Sequence, residues 1–186
     1  DFSVAVGYNA LAASTGGGGT VGNTAVGYLA GSALTTGTQN VVVGYLAMDA
    51  ADATESDNIA IGASAMSAVD EGSNGSALAN GNIAIGTNAL LGGAFGSSDL
   101  DLLGNVAIGY QALDATAATA QTGNVAIGYQ AATALNHADA SGTTVIGYQA
   151  GAAITTGQAN TAVGFEALST NIDGDNNTAI GYQALK

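Results

Sequence analysis

The sequence predicts an all-β fold: a parallel β-solenoid of about ten short coils, running through residues 1–186 as a single repeat domain. One phrase, N-x-A-[VI]-G-[aromatic]-x-A-x, recurs ten times, centred on Gly7, Gly27, Gly44, Gly62, Gly86, Gly109, Gly128, Gly147, Gly164 and Gly181. Successive glycines stand 20, 17, 18, 24, 23, 19, 19, 17 and 17 residues apart, so the nine-residue phrase is rigid and its connectors, 8 to 15 residues long, are elastic. Both faces of each phrase are also small or apolar, as in strands covered on two sides.

Inside the phrase, Val or Ile beside a central Gly and an Ala lies too close together for a helical period and favours a short extended segment with a bend. Ser, Thr, Gly and Asp clusters in the connectors mark turns and loops. A strand of four or five residues buries no face alone, whereas ten stacked in register share one core. At about 4.8 Å per coil the stack is a rod roughly 48 Å tall. A coil of 17 to 20 residues encloses little more than one layer of side chains, which accounts for alanine three residues after the glycine in all ten copies, from Ala10 to Ala184. Alternation places Ala25 and Gly27 on one face and Thr24, Val26 and Tyr28 on the other. One face fills the coil and the other needs a second surface, with the assignment open at this level. A stripe ten coils tall marks an interface, so a homo-oligomer is expected.

Two ladders follow from register. An aromatic comes after the glycine in eight copies, at Tyr8, Tyr28, Tyr45, Tyr110, Tyr129, Tyr148, Phe165 and Tyr182, and is replaced by Ala63 and Thr87 in the middle. The reading is a structural column of rings, with a sugar-stacking platform as the alternative. Asparagine opens eight copies, at Asn23, Asn40, Asn58, Asn82, Asn105, Asn124, Asn160 and Asn177, where a stacked amide column holds a turn.

Composition removes most chemistry. The chain has 14 acidic residues, one lysine (Lys186), one histidine (His137), a net charge of −13, and no arginine, cysteine, proline or tryptophan. Such a chain cannot neutralise a phosphate backbone, which excludes nucleic acid and anionic membrane surfaces as partners. Without cysteine there is no disulfide, thiolate nucleophile or sulfur-ligated zinc. A 47% hydrophobic fraction is too apolar for a disordered acidic tail, and apolar runs such as 41–48 are too short to span a bilayer. Neither a signal peptide nor membrane insertion is read from the sequence.

Catalysis is not expected, and no cofactor with it. Carboxylate pairs such as Asp99 with Asp101 or Asp173 with Asp175 lie in variable connectors, and no cationic group stands ready to stabilise a transition state. Calcium is the one candidate ligand, held by oxygens of Asp49, Asp52, Glu55 and Asp57, or of Asp173 and Asp175. Neither cluster matches the twelve-residue calcium loop or the glycine-rich calcium nonapeptide, and solubilising charge is the competing reading. Gly16 to Gly19 lacks the lysine of a phosphate cradle, and the residue after Asn varies among Val, Thr and Ile, unlike a threonine ice-binding array.

Asn23-Thr-Ala-Val-Gly-Tyr-Leu-Ala30 and its copies resemble the head repeats of trimeric autotransporter adhesins (YadA-like), and similar repeats of phage tail fibres and other bacterial surface fibres, over essentially the whole chain. The resemblance implies a left-handed β-roll, three chains side by side, and an extracellular, cell-surface or virion-fibre location. The coil spacing is longer and less regular than in a short head repeat. Neither end carries an atypical capping repeat, so either a longer fibre or head-to-tail stacking of copies is expected. The leading expectation is a non-enzymatic structural element of a surface fibre, adhesin head or filament. The runner-up is a module binding a carbohydrate or host surface through connectors, above all 67–81 and 91–104. A carboxylate-based glycan hydrolase is the third class.

Overall fold

A computed structural model describes residues 2–15, 22–50, 55–69, 78–92, 101–115, 120–137 and 140–186. Ten of its strands are the centres of the ten phrases: β1 (Val4–Val6), β2 (Thr24–Val26), β3 (Val41–Val43), β4 (Ile59–Ile61), β6 (Ile83–Ile85), β8 (Val106–Ile108), β10 (Val125–Ile127), β11 (Thr144–Ile146), β12 (Thr161–Val163) and β13 (Thr178–Ile180). They form one parallel sheet in that order. Every phrase pairs with the next position by position, as in Ala5 with Ala25 and Ala25 with Val42. Three further two-residue strands, β5 (Ala79–Asn80), β7 (Leu102–Leu103) and β9 (Gln121–Thr122), make a second parallel sheet at the ends of the longer connectors. The fold is a parallel β-solenoid.

Three residues per strand are few, so the stacking bonds run on past the strand. Gly27 N donates to Val6 O at 2.8 Å and Leu29 N to Tyr8 O at 2.9 Å, while Thr24 N donates to Asn40 O at 2.8 Å. The bend after the strand is made by the phrase glycine. At Gly27 φ is +145°, and a Cβ there would stand 2.2 Å from the Gly44 carbonyl oxygen of the next coil. Backbone conformation and close approach of neighbouring coils both demand glycine, which is why it never varies.

The remaining corners are turned by left-handed residues that are mostly not glycine. The second residue after the phrase glycine has φ of 50° to 56° in every copy, including Leu29 and Gln111, and the residue after the alanine is left-handed too, as at Met48 and Leu113. The residue before the opening Asn is a third such corner, at Gln39, Asp57, Ala159 and Asn176 as well as at Gly81 and Gly104. Each non-glycine case costs on the order of 1 kcal/mol, offset by the stacking bonds that hold it.

The core is one layer thick. The central strand residue is buried from Ala25 to Ala179, and so is the alanine after the bend from Ala30 to Ala167. The sequence left open which face points inward: the Ala25-type positions do, and the Val26-type positions point out. Large side chains come from the left-handed corner after the alanine, namely Leu11, Met48, Met66, Leu90, Leu113 and Leu168. Where that corner is small, at Gly31, Ala132 and Gly151, the residue three positions later is buried instead: Leu34, Leu135 and Ile154. The volume is the same, filled from a different point on the chain.

Candidate association surface

The asparagine column holds the coils in register. Asn40 N and Asn40 Nδ2 both donate to Asn23 Oδ1, at 2.8 and 3.1 Å, and the same pair of bonds joins Asn58 to Asn40, Asn82 to Asn58, Asn105 to Asn82 and Asn177 to Asn160. The amides do more than bond along their own column. Most Nδ2 groups also donate to the carbonyl three residues before the next coil's Asn position, as Asn23 to Gly37, Asn40 to Glu55, Asn58 to Ala79 and Asn82 to Leu102, all at 2.7 Å, whereas Asn124 Nδ2 donates to Gln121 Oε1. The connector is thereby pinned just before the next strand begins, however long it has been. This reconciles elastic connectors with rigid register, and all but the last of the column's asparagines are buried. The column weakens at the eighth coil, where Thr143 Oγ1 accepts from Asn160 N at 3.4 Å.

The aromatic residues stand outside. Tyr8, Tyr28 and Tyr45 stack at 5.3 and 5.4 Å between ring centres, and Tyr110, Tyr129, Tyr148, Phe165 and Tyr182 form a second run at 5.0 to 5.3 Å. Planes lie within 13° of parallel, so interior rings turn their faces to one another and offer solvent only their edges. Ala63 and Thr87 leave the column broken between the two runs. Tyr129 is 43% exposed and Tyr45, at the break, 57%. Beside them the outward residues Val6, Val26, Ile61, Ile146 and Ile180 are exposed, with Val43, Ile85, Ile108, Ile127 and Val163 partly so. The result is a face of outward β-branched side chains along all ten strands, flanked by two runs of aromatic rings.

A glutamine ladder, which the sequence reading missed, follows the rings. Gln130 Nε2 donates to Gln111 Oε1 at 2.9 Å and Gln149 Nε2 to Gln130 Oε1 at 3.0 Å. Farther along, Gln183 and Lys186 both donate to Glu166 Oε2. Those two bonds hold the Glu166 carboxyl below its usual range. The signal was the repeated Tyr-Gln pair after the glycine.

The described connector carboxylates have unlike surroundings. Glu55 is buried and its backbone carbonyl receives Asn40, whereas Asp57 is an exposed left-handed corner and Asp49 is partly buried. Asp52 lies outside the described residues, as do Asp99, Gly16 to Gly19 and most of connectors 67–81 and 91–104. Asp101 and Asp175 each accept a backbone N–H from the preceding coil, Leu78 N at 3.1 Å and Gln158 N at 2.9 Å, and Asp173 is exposed. Burial pushes the Asp49 and Asp114 carboxyls above their usual range, against hydrogen bonding to their own backbone. Among the described residues no three acidic or histidine side chains gather closely enough to hold a metal ion, and no helix is long and apolar enough to cross a membrane. Comparison with family models, curated proteins and solved structures returned no match to this chain.

Proposed function

We propose that the chain is a non-enzymatic structural protein, a β-solenoid building block that associates with copies of itself side by side in an extracellular fibre, adhesin head or filament. The observation that supports this is the outward face of the sheet. Ten strands in register present Val, Ile, Thr and aromatic side chains to solvent without a charged residue among them, over a height of roughly 45 Å. A soluble monomer rarely carries so continuous an apolar strip, and a second solenoid of the same spacing matches it coil for coil. The three-fold arrangement and surface location implied by the resemblance to adhesin head repeats agree with such a face.

The tyrosine column supports assembly better than sugar stacking, because interior ring faces are already covered by their neighbours. Binding to a glycan or host protein through connectors remains the second reading, favoured by one coincidence: the coils that lack an aromatic, at Ala63 and Thr87, carry the two longest connectors.

The test is mass measurement by analytical ultracentrifugation together with electron microscopy, on the wild type and on Ile108→Asp. The wild type is expected to form multi-chain rods at micromolar concentration. The outward carboxylate is expected to release single chains with unchanged circular dichroism. A wild type that stays a single chain at these concentrations overturns the reading.

A further inference from the structure

Three outward columns run along the sheet: a strand-start column from Val4 to Thr178, a strand-end column from Val6 to Ile180, and the ring column. The first two stand roughly 7 Å apart, and the third follows two residues later, beyond the glycine bend. Because all three repeat at nearly every coil, a neighbouring copy slides along most of this face without changing its contacts. Two coils break the repeat. Among the described strands, β4 and β6, both Ile-Ala-Ile, are the only ones with isoleucine at both outward positions. Theirs are also the two coils whose ring is replaced, by Ala63 and Thr87. In every other copy the strand-start residue is Val or Thr and a ring follows the glycine. The main chain passes through the break unchanged: Ser64 N donates to Tyr45 O at 2.9 Å, Asn88 N to Ala63 O at 3.0 Å and Gln111 N to Thr87 O at 3.0 Å. Only side chains are lost, which leaves a notch two coils tall between Tyr45 and Tyr110, three coil steps or roughly 14 Å apart. Tyr45, at its edge, is 57% exposed against 45% for Tyr28 within the stack. Ile59 and Ile83 do not fill the notch of their own chain, because Ile61 and Ile85 and the glycine bend stand between.

We propose that Ile59 and Ile83 of one copy seat over the Ala63 and Thr87 notch of a second copy, which fixes side-by-side association as parallel and level, coil against coil. The inference rests on the lateral association proposed above and names its register. Half a turn about an axis parallel to the rod lays strand-end column over strand-end column, and each strand-start column over the ring column of the other copy. The longest strand-start side chains then stand over the shortest residues of the ring column, at both coils and in both directions, while Val or Thr stands over every ring. A shift of one coil spoils the match, since Ile83 then meets Tyr110 and Val41 faces the space beside Ala63. Reversing one copy about the break sets notch against notch, Ala63 over Thr87, and leaves a void where packed atoms lose their partners. A strictly periodic strip specifies register weakly, and these two coils supply the mark that it lacks.

The chain has no cysteine, so single introduced thiols report neighbours. Chains carrying Ile83→Cys and chains carrying Thr87→Cys are mixed under mild oxidation, and a mixture of Ile59→Cys with Ile83→Cys chains is the antiparallel control. Mixed disulfides are expected at least tenfold faster in the first mixture, because the bond needs Cα atoms within about 7 Å. Ala63→Tyr/Thr87→Tyr, which fills the notch, is expected to weaken association at least tenfold in sedimentation, although it adds apolar surface and completes the ring column. Adding Ile59→Thr/Ile83→Thr, which gives these coils the composition of the Thr144 and Tyr148 coil, is expected to restore most of the loss. Circular dichroism and urea unfolding of dilute single chains check that each variant folds. Equal or reversed cross-linking rates, a filled notch that leaves association intact, or a threonine pair that restores none of it overturns the proposal. A wild type that sediments as a single chain removes the association reading and this register with it, whereas multi-chain rods that cross-link at other heights remove the register alone.

Discussion

The asparagine and aromatic columns recur equally often in the sequence, eight times in ten coils, yet they do opposite things. The asparagines turn inward, bond to the next coil in pairs, and reach a connector carbonyl with the remaining donor. Nothing of them is left for another molecule. The rings turn outward, stack on their neighbours above and below, and stay partly exposed along the rod. Recurrence within a chain therefore has two physical sources. One is a closed hydrogen-bond circuit whose only substitutes are the hydroxyls of Ser3 and Thr143, and the other is a surface that must repeat because what it meets repeats.

That contrast can be broken experimentally. The largest effect is expected from Asn82→Ala, which strips the acceptor from Asn105 N and Nδ2 and the donor from Leu102 O, all in buried surroundings. A loss of about 3 kcal/mol or more in urea unfolding is expected. Tyr129→Ala removes two ring contacts from a half-exposed site, and a loss of about 1–2 kcal/mol is expected for the single chain. If the tyrosine proves the costlier of the two, the division into inner circuit and outer surface is wrong. Thr143→Asn restores the amide where the column is weakest and is expected to raise the urea midpoint by the equivalent of about 1 kcal/mol.

The smallest effect is that of pH. Asp49 and Asp114 have folded-state values raised by burial, so folding takes up protons, and stability is expected to fall as pH rises through the raised carboxylate range. Glu166 works the other way, with stability lost as pH falls through its lowered value, but its site is in contact with solvent and its lysine partner is exposed, so the effect is screened. Calorimetry is therefore expected to show a modest rise in Tm as pH falls through the carboxylate range towards the ordinary aspartate value of 3.8, helped by relief of repulsion in so acidic a chain. The Asp114→Asn variant is expected to flatten that slope.

The strands, their register and both columns were legible because each rests on a residue type that sterics or hydrogen bonding fixes at one phrase position. Three things were not. The inward face was ambiguous because Ala25 and Val26 are both apolar, and only coil diameter decides that the smaller one goes inside. The left-handed corners at Leu29, Gln111 and Leu113 were invisible because local preference opposes them; closure of a small coil imposes them, and stacking bonds hold them. The exchange of Leu34, Leu135 and Ile154 for the corner residue was hidden because the positions differ in sequence while sharing one volume. Of the candidate calcium ligands, Asp52 lies outside the described residues, and Glu55 and Asp57, two residues apart, are one buried and one an exposed corner.

Strands lie across the rod and their hydrogen bonds along it, so tension applied through the two ends of the chain loads one coil's bonds at a time. The rod then yields by unzipping rather than by shearing. Each coil contributes about 4.8 Å of height while folded, and its 17 to 24 residues extend to roughly 60–80 Å once released. Because every coil is held by the same few bonds, a pulled chain lengthens more than tenfold in nearly equal force steps, dissipating work as it goes. Mechanically, the repeat is a shock absorber wound into a short rod.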